Sequence, residues 1–300
     1  MLPYTVKMPQ IIPAPMAGYT DRAFRRVLRK CGAKVTFTEM ISVTALYHGN
    51  KKTLNMLKHD GLTVVQLFGK NPEHFKHVIK SGILNSFTEI NINMGCPARK
   101  IVNNGEGCAL MQDPVQARLI IETCVRATKK PISVKCRLGY EIDMSVTFAR
   151  MCRDAGASRI YMHGRLGEAG YSGKADWEAL CYVVHALDIP VIVNGDIRDI
   201  ESLELCLEDT GAESFMMGRA LIGAPWKCNP KYLTKKPDEK AIKNIIKYHL
   251  KQSKKLHGEG SIFEMRKHLL AYCTHLTNGR ELKLKMCQCK SFAEAKALLN

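Results

Sequence analysis

PISVKCRLG (131–139), RIYMHGR (159–165), PVIVNGD (190–196) and SFMMGRA (214–220) are four short β-rich runs, each closing on glycine or on polar side chains. Four more precede them: IIPAPMAG (11–18), VTFTEM (35–40), TVVQLFG (63–69) and FTEININMG (87–95). Several carry uninterrupted Val, Ile or Met, the mark of strands buried on both faces in a parallel sheet. Helix starts fall between them. Asn71 before Pro72, and Asp113 before Pro114, pair an N-cap residue with proline at the first helical position. Eight strand–helix units in about 225 residues predict an α/β fold of the (β/α)8 TIM-barrel type, which typically needs about 250. A doubly wound sheet is the alternative, but its usual nucleotide loops, GxGxxG and GxxxxGK[ST], are both missing.

The chain has 300 residues, 46% hydrophobic and 24% charged, an ordinary globular composition that excludes a disordered or fibrous chain. No apolar run approaches the roughly 18 residues of a membrane helix, and MLPYTVKMPQ contains no signal-peptide core. A cytoplasmic protein without membrane attachment is expected. Twelve scattered cysteines, with no CxxC, predict small core hydrophobes rather than a disulfide framework or a metal site.

Composition changes after Trp226, where KCNPKYLTKKPDEK reads as a linker. Ile242, Ile245, Ile246, His249, Leu250 and Leu256 then recur at helical spacing over 239–257. Lys240, Lys243, Lys247, Lys251 and Lys254 gather on the opposite face, and Gly258 and Gly260 end the helix. A second helix is predicted over 261–276, a turn at Asn278-Gly279, and a last short helix from the Ser291/Glu294 capping box. The predicted organisation is a barrel over residues 1–232 followed by a small basic α-helical domain over 238–300. Of the net +17, a surplus of nine (15 Lys+Arg against 6 Asp+Glu) sits in residues 235–300. Such a concentration favours a polyanionic partner, and Lys243, Lys247 and Lys251 are its candidate contacts.

Barrel active sites lie at the C-terminal ends of the strands. The residues there are Pro15-Met16-Ala17, Glu39, Gln66, Asn93 with Cys96, Lys135 with Arg137, His163 with Arg165, Asn194-Gly195-Asp196, and Gly218-Arg219. Nearly every strand ends in a group that hydrogen-bonds or carries charge, which predicts a ligand-binding mouth. Gly195 after the seventh run, and Gly218-Arg219 after the eighth, stand where barrels commonly bind phosphate. They favour a phosphorylated cofactor.

PAPMAGYTDRAFR, NINMGCPARKIVNNGEGCALM, VKCRLG, YMHGR, VNGDI and MMGRALIGAPW resemble, in order and spacing, the motifs of the flavin-dependent tRNA-dihydrouridine synthases across residues 11–226. FEMRKHLLAY is similar to the corresponding segment of the bacterial B-type enzymes. The resemblance implies FMN, reduced by NADPH or NADH, and reduction of the C5–C6 bond of uridine in the tRNA D-loop. It implies FMN contacts at Pro15, Met16, Ala17, Gln66, Lys135, Asn194, Gly195, Asp196, Gly218 and Arg219, and a proton donor at Cys96. His163 is implied beside the flavin, with Asn93, Arg137 and Tyr171 around flavin and target base. No membrane and no obligate protein partner is implied, only tRNA. The chemistry agrees: an anion formed at C5 by hydride addition to C6 needs a proton, and an ordinary thiol, pKa about 8.5, holds one at neutral pH. Two other readings stand beside this one. A dihydroorotate-type FMN barrel would not need the basic C-terminal helices, and a non-catalytic RNA-binding barrel would not need Cys96, Lys135 and Arg219.

Overall fold

A computed structural model describes residues 9–300; the barrel's expected first residues, and most of the stretch read for a signal peptide, lie outside the described residues. All eight expected strands form: β1 (Gln10–Pro13), β2 (Thr36–Ser42), β3 (Thr63–Phe68), β4 (Glu89–Met94), β5 (Ile132–Arg137), β6 (Arg159–His163), β7 (Val191–Asn194) and β8 (Ser214–Met217). They pair in parallel in the order β1-β8-β7-β6-β5-β4-β3-β2, with β2 brought back against β1 to complete a TIM-barrel-like ring. Around it run α1 (Arg22–Lys30), α2 (Val43–Tyr47), α3 (Lys51–Met56), α4 (Pro72–Lys80), α5 (Arg99–Val102), α6 (Pro114–Ala127), α7 (Ser145–Asp154), α8 (Trp177–Ala186) and α9 (Ile200–Thr210). Asn71 and Asp113 cap α4 and α6 as their sequences require, each side chain accepting a first-turn N–H with proline at the helix start.

Strand geometry sends alternate side chains to opposite faces. Ile90, Ile92, Ile132, Val134, Ile160 and Val193 point outward into one continuous apolar layer against the helices. Ile12, Phe37, Val64, Tyr161, Ile192 and Met216 form a second cluster inside the ring. Nine of the twelve cysteines are buried, so most behave as the core hydrophobes expected.

After the barrel come α10 (Lys231–Thr234), α11 (Glu239–His257), α12 (Ile262–Tyr272), α13 (Gly279–Gln288) and α14 (Phe292–Ala297). Helix α11 corresponds to the amphipathic pattern, α12 lies within the second expected helix, and Ser291 caps α14 through the Glu294 N–H. The stretch read as a linker is instead packed. Leu233 is buried in α10, and the buried Cys228 thiol donates to the Leu28 carbonyl. Helix α13 begins at the turn expected at Asn278-Gly279 and was not anticipated. Only Met286 is buried in it, too faint an apolar stripe to read. Among the described residues, no helix is long and apolar enough to cross a membrane.

The terminal helices share the outer apolar layer: Ile242, Ile246 and Leu250 of α11 and Met265 and Leu269 of α12 belong to it. Arg26 donates to Gln252 at 2.7 Å, and His257 lies 3.1 Å from Asp21, both across the α1–α11 contact. Gly223 permits the approach of α12. Its φ is +80°, and a Cβ there would stand 2.6 Å from the Ala271 carbonyl. Gly223→Ala is therefore expected to cost about 1–3 kcal/mol of stability from backbone conformation alone. Thermal unfolding should show a midpoint several degrees lower, and limited proteolysis should cut residues 238–300 faster than the barrel.

Candidate active site

At the C-terminal ends of the strands opens a cavity of about 920 Å³, within the range that holds a cofactor-sized ligand. All the barrel positions singled out from the sequence line it except Glu39 and Arg165. Pro15, Met16 and Ala17 come from the loop after β1, Gln66 from β3, and Asn93 and Cys96 from β4 and its loop. Lys135 and Arg137 come from β5, and His163 and Tyr171 from β6 and its loop. Asn194, Gly195 and Asp196 follow from β7, and Gly218 and Arg219 from β8. They converge because parallel strands present all their C-terminal ends on one rim. Glu39 does not join them: its carboxylate accepts the Gly18 N–H, tying down the β1–α1 loop, and Met40 takes its place on the wall.

Cys96 is half-buried, and its thiol has no hydrogen-bond partner among the described residues. Its backbone is fixed. Asn93 Oδ1 accepts the N–H of Gly95 at 3.2 Å and of Cys96 at 3.0 Å, while the Cys96 carbonyl accepts the Cys108 N–H. Cys108 is fully buried, and burial pushes its thiol up to about 11. It is a packing residue.

Lys135 donates to Asn194 Oδ1 at 3.2 Å. Burial, with the Arg137 charge beside it, brings its ammonium down to about 8. Arg137 is buried and donates to three carbonyls: Gly95 at 2.9 Å, Leu166 at 2.9 Å and Gly170 at 2.6 Å. It thus ties the Cys96 loop to the loop after β6, leaving Nη2 without a protein partner among the described residues. The Tyr171 ring is exposed and bracketed by two guanidiniums, Arg137 at 5.5 Å and Arg219 at 4.9 Å from its centre.

Burial, with the charges of Lys135, Arg137 and Arg165, lowers His163 to about 2, so its ring is neutral at physiological pH. Arg165 Nη1 stands 3.0 Å from His163 Nε2. A guanidinium only donates, so Nε2 accepts and Nδ1 carries the hydrogen. The buried Arg165 also reaches Asp196 Oδ2 at 2.6 Å. Burial alone would raise Asp196, but this bond and the Ala175 N–H outweigh it and hold the carboxyl at about 2. The rigid corner keeps Asp196 at φ +56°, unusual for a residue with a side chain.

One end of the cavity is suited to an anion. The N–H groups of Gly195, Asp196, Gly218 and Arg219 have no acceptor among the described residues. Gly195 has φ +127°, and a Cβ there would stand 2.7 Å from Ala175. Arg198, Arg219 and Lys227 border the same end. Arg198 and Lys227 escaped the sequence reading. Arg198 lies two residues past Asp196, a signal within reach, but Lys227 opened the supposed linker and gave none.

The α11 lysines lie elsewhere. Lys243, Lys247 and Lys251 do not line the cavity, and the uninterrupted free lysine face expected there is not present. Lys243 pairs with Glu239 at 3.4 Å, Lys247 donates to Asn300 at 3.0 Å, and Lys254 pairs with Glu259 at 2.7 Å. Helical spacing placed these lysines on one face but could not reveal what folds against it. Lys251 is exposed without a partner among the described residues.

The family model described as Dihydrouridine synthase (Dus) matches residues 12–300. The chain is 32% identical to a probable tRNA-dihydrouridine synthase 1 of Synechocystis sp., covering 97% of this chain and 85% of that protein. It is 32% identical to tRNA-dihydrouridine synthase B of Pseudomonas aeruginosa, over 94% and 88% of the two chains. It is 36% identical to tRNA-dihydrouridine synthase B of Xanthomonas campestris, over 75% and 69%. Among solved structures, histamine dehydrogenase from Rhizobium sp. 4-9 matches with TM-score 0.56 and 12% identity, covering 81% of this chain and 49% of that one. At that identity the likeness concerns the barrel fold alone.

The Lys135 environment has a measurable consequence. An unfolded chain keeps the lysine proton up to about 10.5, the folded one only up to about 8. Between those pH values the unfolded state binds more protons, so stability rises with pH. Lys135→Met removes the buried charge. In ligand-free protein the Tm advantage of that variant should be widest at pH 7 and narrow as pH climbs from 8 to 10. A gap independent of pH would mean that Lys135 titrates as an ordinary lysine.

Proposed function

This chain belongs to the dihydrouridine synthase family, and we propose that it uses FMN, reduced in turn by NADPH or NADH, to reduce the C5–C6 bond of a uridine in the tRNA D-loop. The reading rests chiefly on one observation: a partnerless thiol, Cys96, stands on a cavity wall with Lys135, Arg137, His163 and an anion-accepting end formed by β7 and β8. The residues fit FMN. Free N–H groups and the Arg198, Arg219 and Lys227 cations suit its phosphate, and the volume suits a flavin with space for a base beside it. Lys135 lies deeper, as a positive charge for an electron-rich ring.

When bound, FMN supplies the hydride that goes to C6 of uracil. Cys96 then gives its proton to C5 and is returned to the thiol by solvent. Because the thiol accepts and donates no hydrogen bond among the described residues, its proton is free for that transfer. Arg137 Nη2 supplies positive charge where the uracil O4 gains electron density. Neutral His163, its tautomer set by Arg165, presents a neutral imidazole rather than a charge to the bound groups. Tyr171, held between Arg137 and Arg219, covers the mouth on the solvent side.

A uridine inside a folded tRNA reaches such a cavity only when unstacked and turned outward. The remainder of the RNA is held by phosphate contacts. In this reading residues 1–232 carry the chemistry, and residues 238–300 hold the RNA with Lys251 as a direct contact. Lys243 and Lys247 exchange their Glu239 and Asn300 partners for phosphate when RNA is bound. The setting is the cytoplasm, with tRNA as partner and no obligate protein subunit.

Purified protein is expected to carry non-covalent FMN, with Arg219→Ala retaining less. Cys96→Ala should keep flavin and its reduction by NADPH but lose uridine reduction by about 10²–10⁴-fold. Cys108→Ala should lose far less. Equal losses in the two variants, scored by dihydrouridine formed in a tRNA transcript, would remove Cys96 from the proton-donor role. Lys251→Glu should weaken tRNA binding and flatten its salt dependence by about one counterion, as read from affinity against log salt.

A further inference from the structure

Below the cavity, β4 reads Glu89-Ile90-Asn91-Ile92-Asn93-Met94. Ile90, Ile92 and Met94 face the helices, which sends Glu89, Asn91 and Asn93 into the ring. All three are buried, at 5%, 0% and 7% exposure. Barrel interiors are usually filled by Val, Ile and Leu in layers, as the opposite half of this ring is. Strand register sets Gln66 of β3 and Ser133 of β5 on either side of Asn91.

These side chains form one continuous chain of hydrogen bonds. The Ser133 hydroxyl donates to Glu89 Oε1. Asn91 Nδ2 donates to Ser133 Oγ at 2.8 Å, Gln66 Nε2 to Asn91 Oδ1 at 2.7 Å, and Asn93 Nδ2 to Gln66 Oε1 at 2.9 Å. Asn93 Oδ1 is left pointing at the Gly95 and Cys96 N–H groups. Each amide has an oxygen end and a nitrogen end, so the direction of one dictates the next. An ionised carboxylate only accepts, which fixes the direction at the far end. Burial pushes the Glu89 carboxyl up, and against it act the Ser133 hydroxyl at Oε1, Arg159 Nε at 3.4 Å from Oε2 and Tyr161 Oη donating to Oε1 at 3.4 Å, all of which favour the charged form.

We propose that Glu89, Ser133, Asn91 and Gln66 are positioning residues whose hydrogen-bond polarity, set by Glu89 at the closed end of the barrel, holds the Asn93 carbonyl toward the Cys96 loop. Reversal of the chain would turn the Asn93 amino group onto two backbone donors and release the loop. The proposal rests on the reading of Cys96 as the proton donor for its catalytic meaning, but the polarity and its effect on the loop stand apart from that reading.

Ser133→Ala cuts the link between Glu89 and Asn91 with the loss of one buried oxygen. Tyr161→Phe removes another hydroxyl beside Glu89 but leaves the chain whole, and so reports general loosening. Backbone hydrogen exchange in the flavin-loaded enzyme should be about tenfold faster at Gly95 and Cys96 in Ser133→Ala and unchanged in Tyr161→Phe. Single-turnover uridine reduction by the pre-reduced enzyme should slow with it. Unchanged exchange at residues 95–96 in Ser133→Ala, or equal acceleration in both variants, would overturn the relay. Faster exchange with full single-turnover activity would keep the relay and instead remove Cys96 from the chemistry. If Ser133→Ala does not fold, Asn91→Leu cuts the same chain one link higher and is read by the same exchange measurement.

Discussion

Closing eight parallel strands into a ring forces every second side chain into a narrow shared interior, and the rest of this molecule follows from how that interior is filled. Parallel strands deliver all their C-terminal ends to one rim, so residues separated by 200 positions meet there without further design. Half of the interior is apolar, built on Ile12, Phe37, Val64, Ile192 and Met216. The other half, on β3, β4 and β5, is polar and fully engaged. A buried polar network of that kind is less stabilising than an apolar filling, but once satisfied it specifies one arrangement of its members. Rigidity is directed to the side of the ring that carries Cys96, Lys135 and Arg137.

Electrostatics follow the same asymmetry. Lys135, Arg137 and Arg165 stand close together in a space with little water, where their mutual repulsion is costly. The structure relieves it in three ways. Lys135 gives up proton affinity, His163 stays neutral, and the guanidiniums find carbonyls or Asp196. What remains is a positive cavity in which the unmet N–H groups after β7 and β8 and the Arg198, Arg219 and Lys227 cations, the two arginines near Asp196 and Lys227 on the Arg198 carbonyl, concentrate at one end. A phosphorylated ligand with an electron-rich ring satisfies both ends at once.

The terminal helices are more than an appended arm. Lys267 of α12 lies over the Tyr19 ring at 5.0 Å, and His257 pairs with Asp21, which also caps α1. The β1–α1 loop that supplies Pro15, Met16 and Ala17 to the cavity wall is therefore braced from outside by α11 and α12. The terminal helices and the cavity wall then share a mechanical support.

The uninterrupted apolar runs, the Asn71-Pro72 and Asp113-Pro114 helix starts and the polar residues closing each run were enough to read a barrel, its rim and Cys96, because backbone geometry turns such local patterns into position directly. Helical spacing likewise located α11. What the chain order could not reveal is which polar groups meet. The alternation of Glu89, Asn91 and Asn93 is visible in the run, yet its meaning depends on Gln66 and Ser133, brought alongside by strand register. Arg198 and Lys227 reach the cavity only through the path of the β7 and β8 loops, and Lys247 of α11 meets Asn300 only once the last helix folds back, whereas the Glu239 and Glu259 partners of Lys243 and Lys254 are close in the chain. Local sequence determined the elements and the direction in which they point; hydrogen-bond direction, charge pairing and proton affinity were decided by tertiary structure, since each depends on neighbours distant in the chain and on the water that packing excludes.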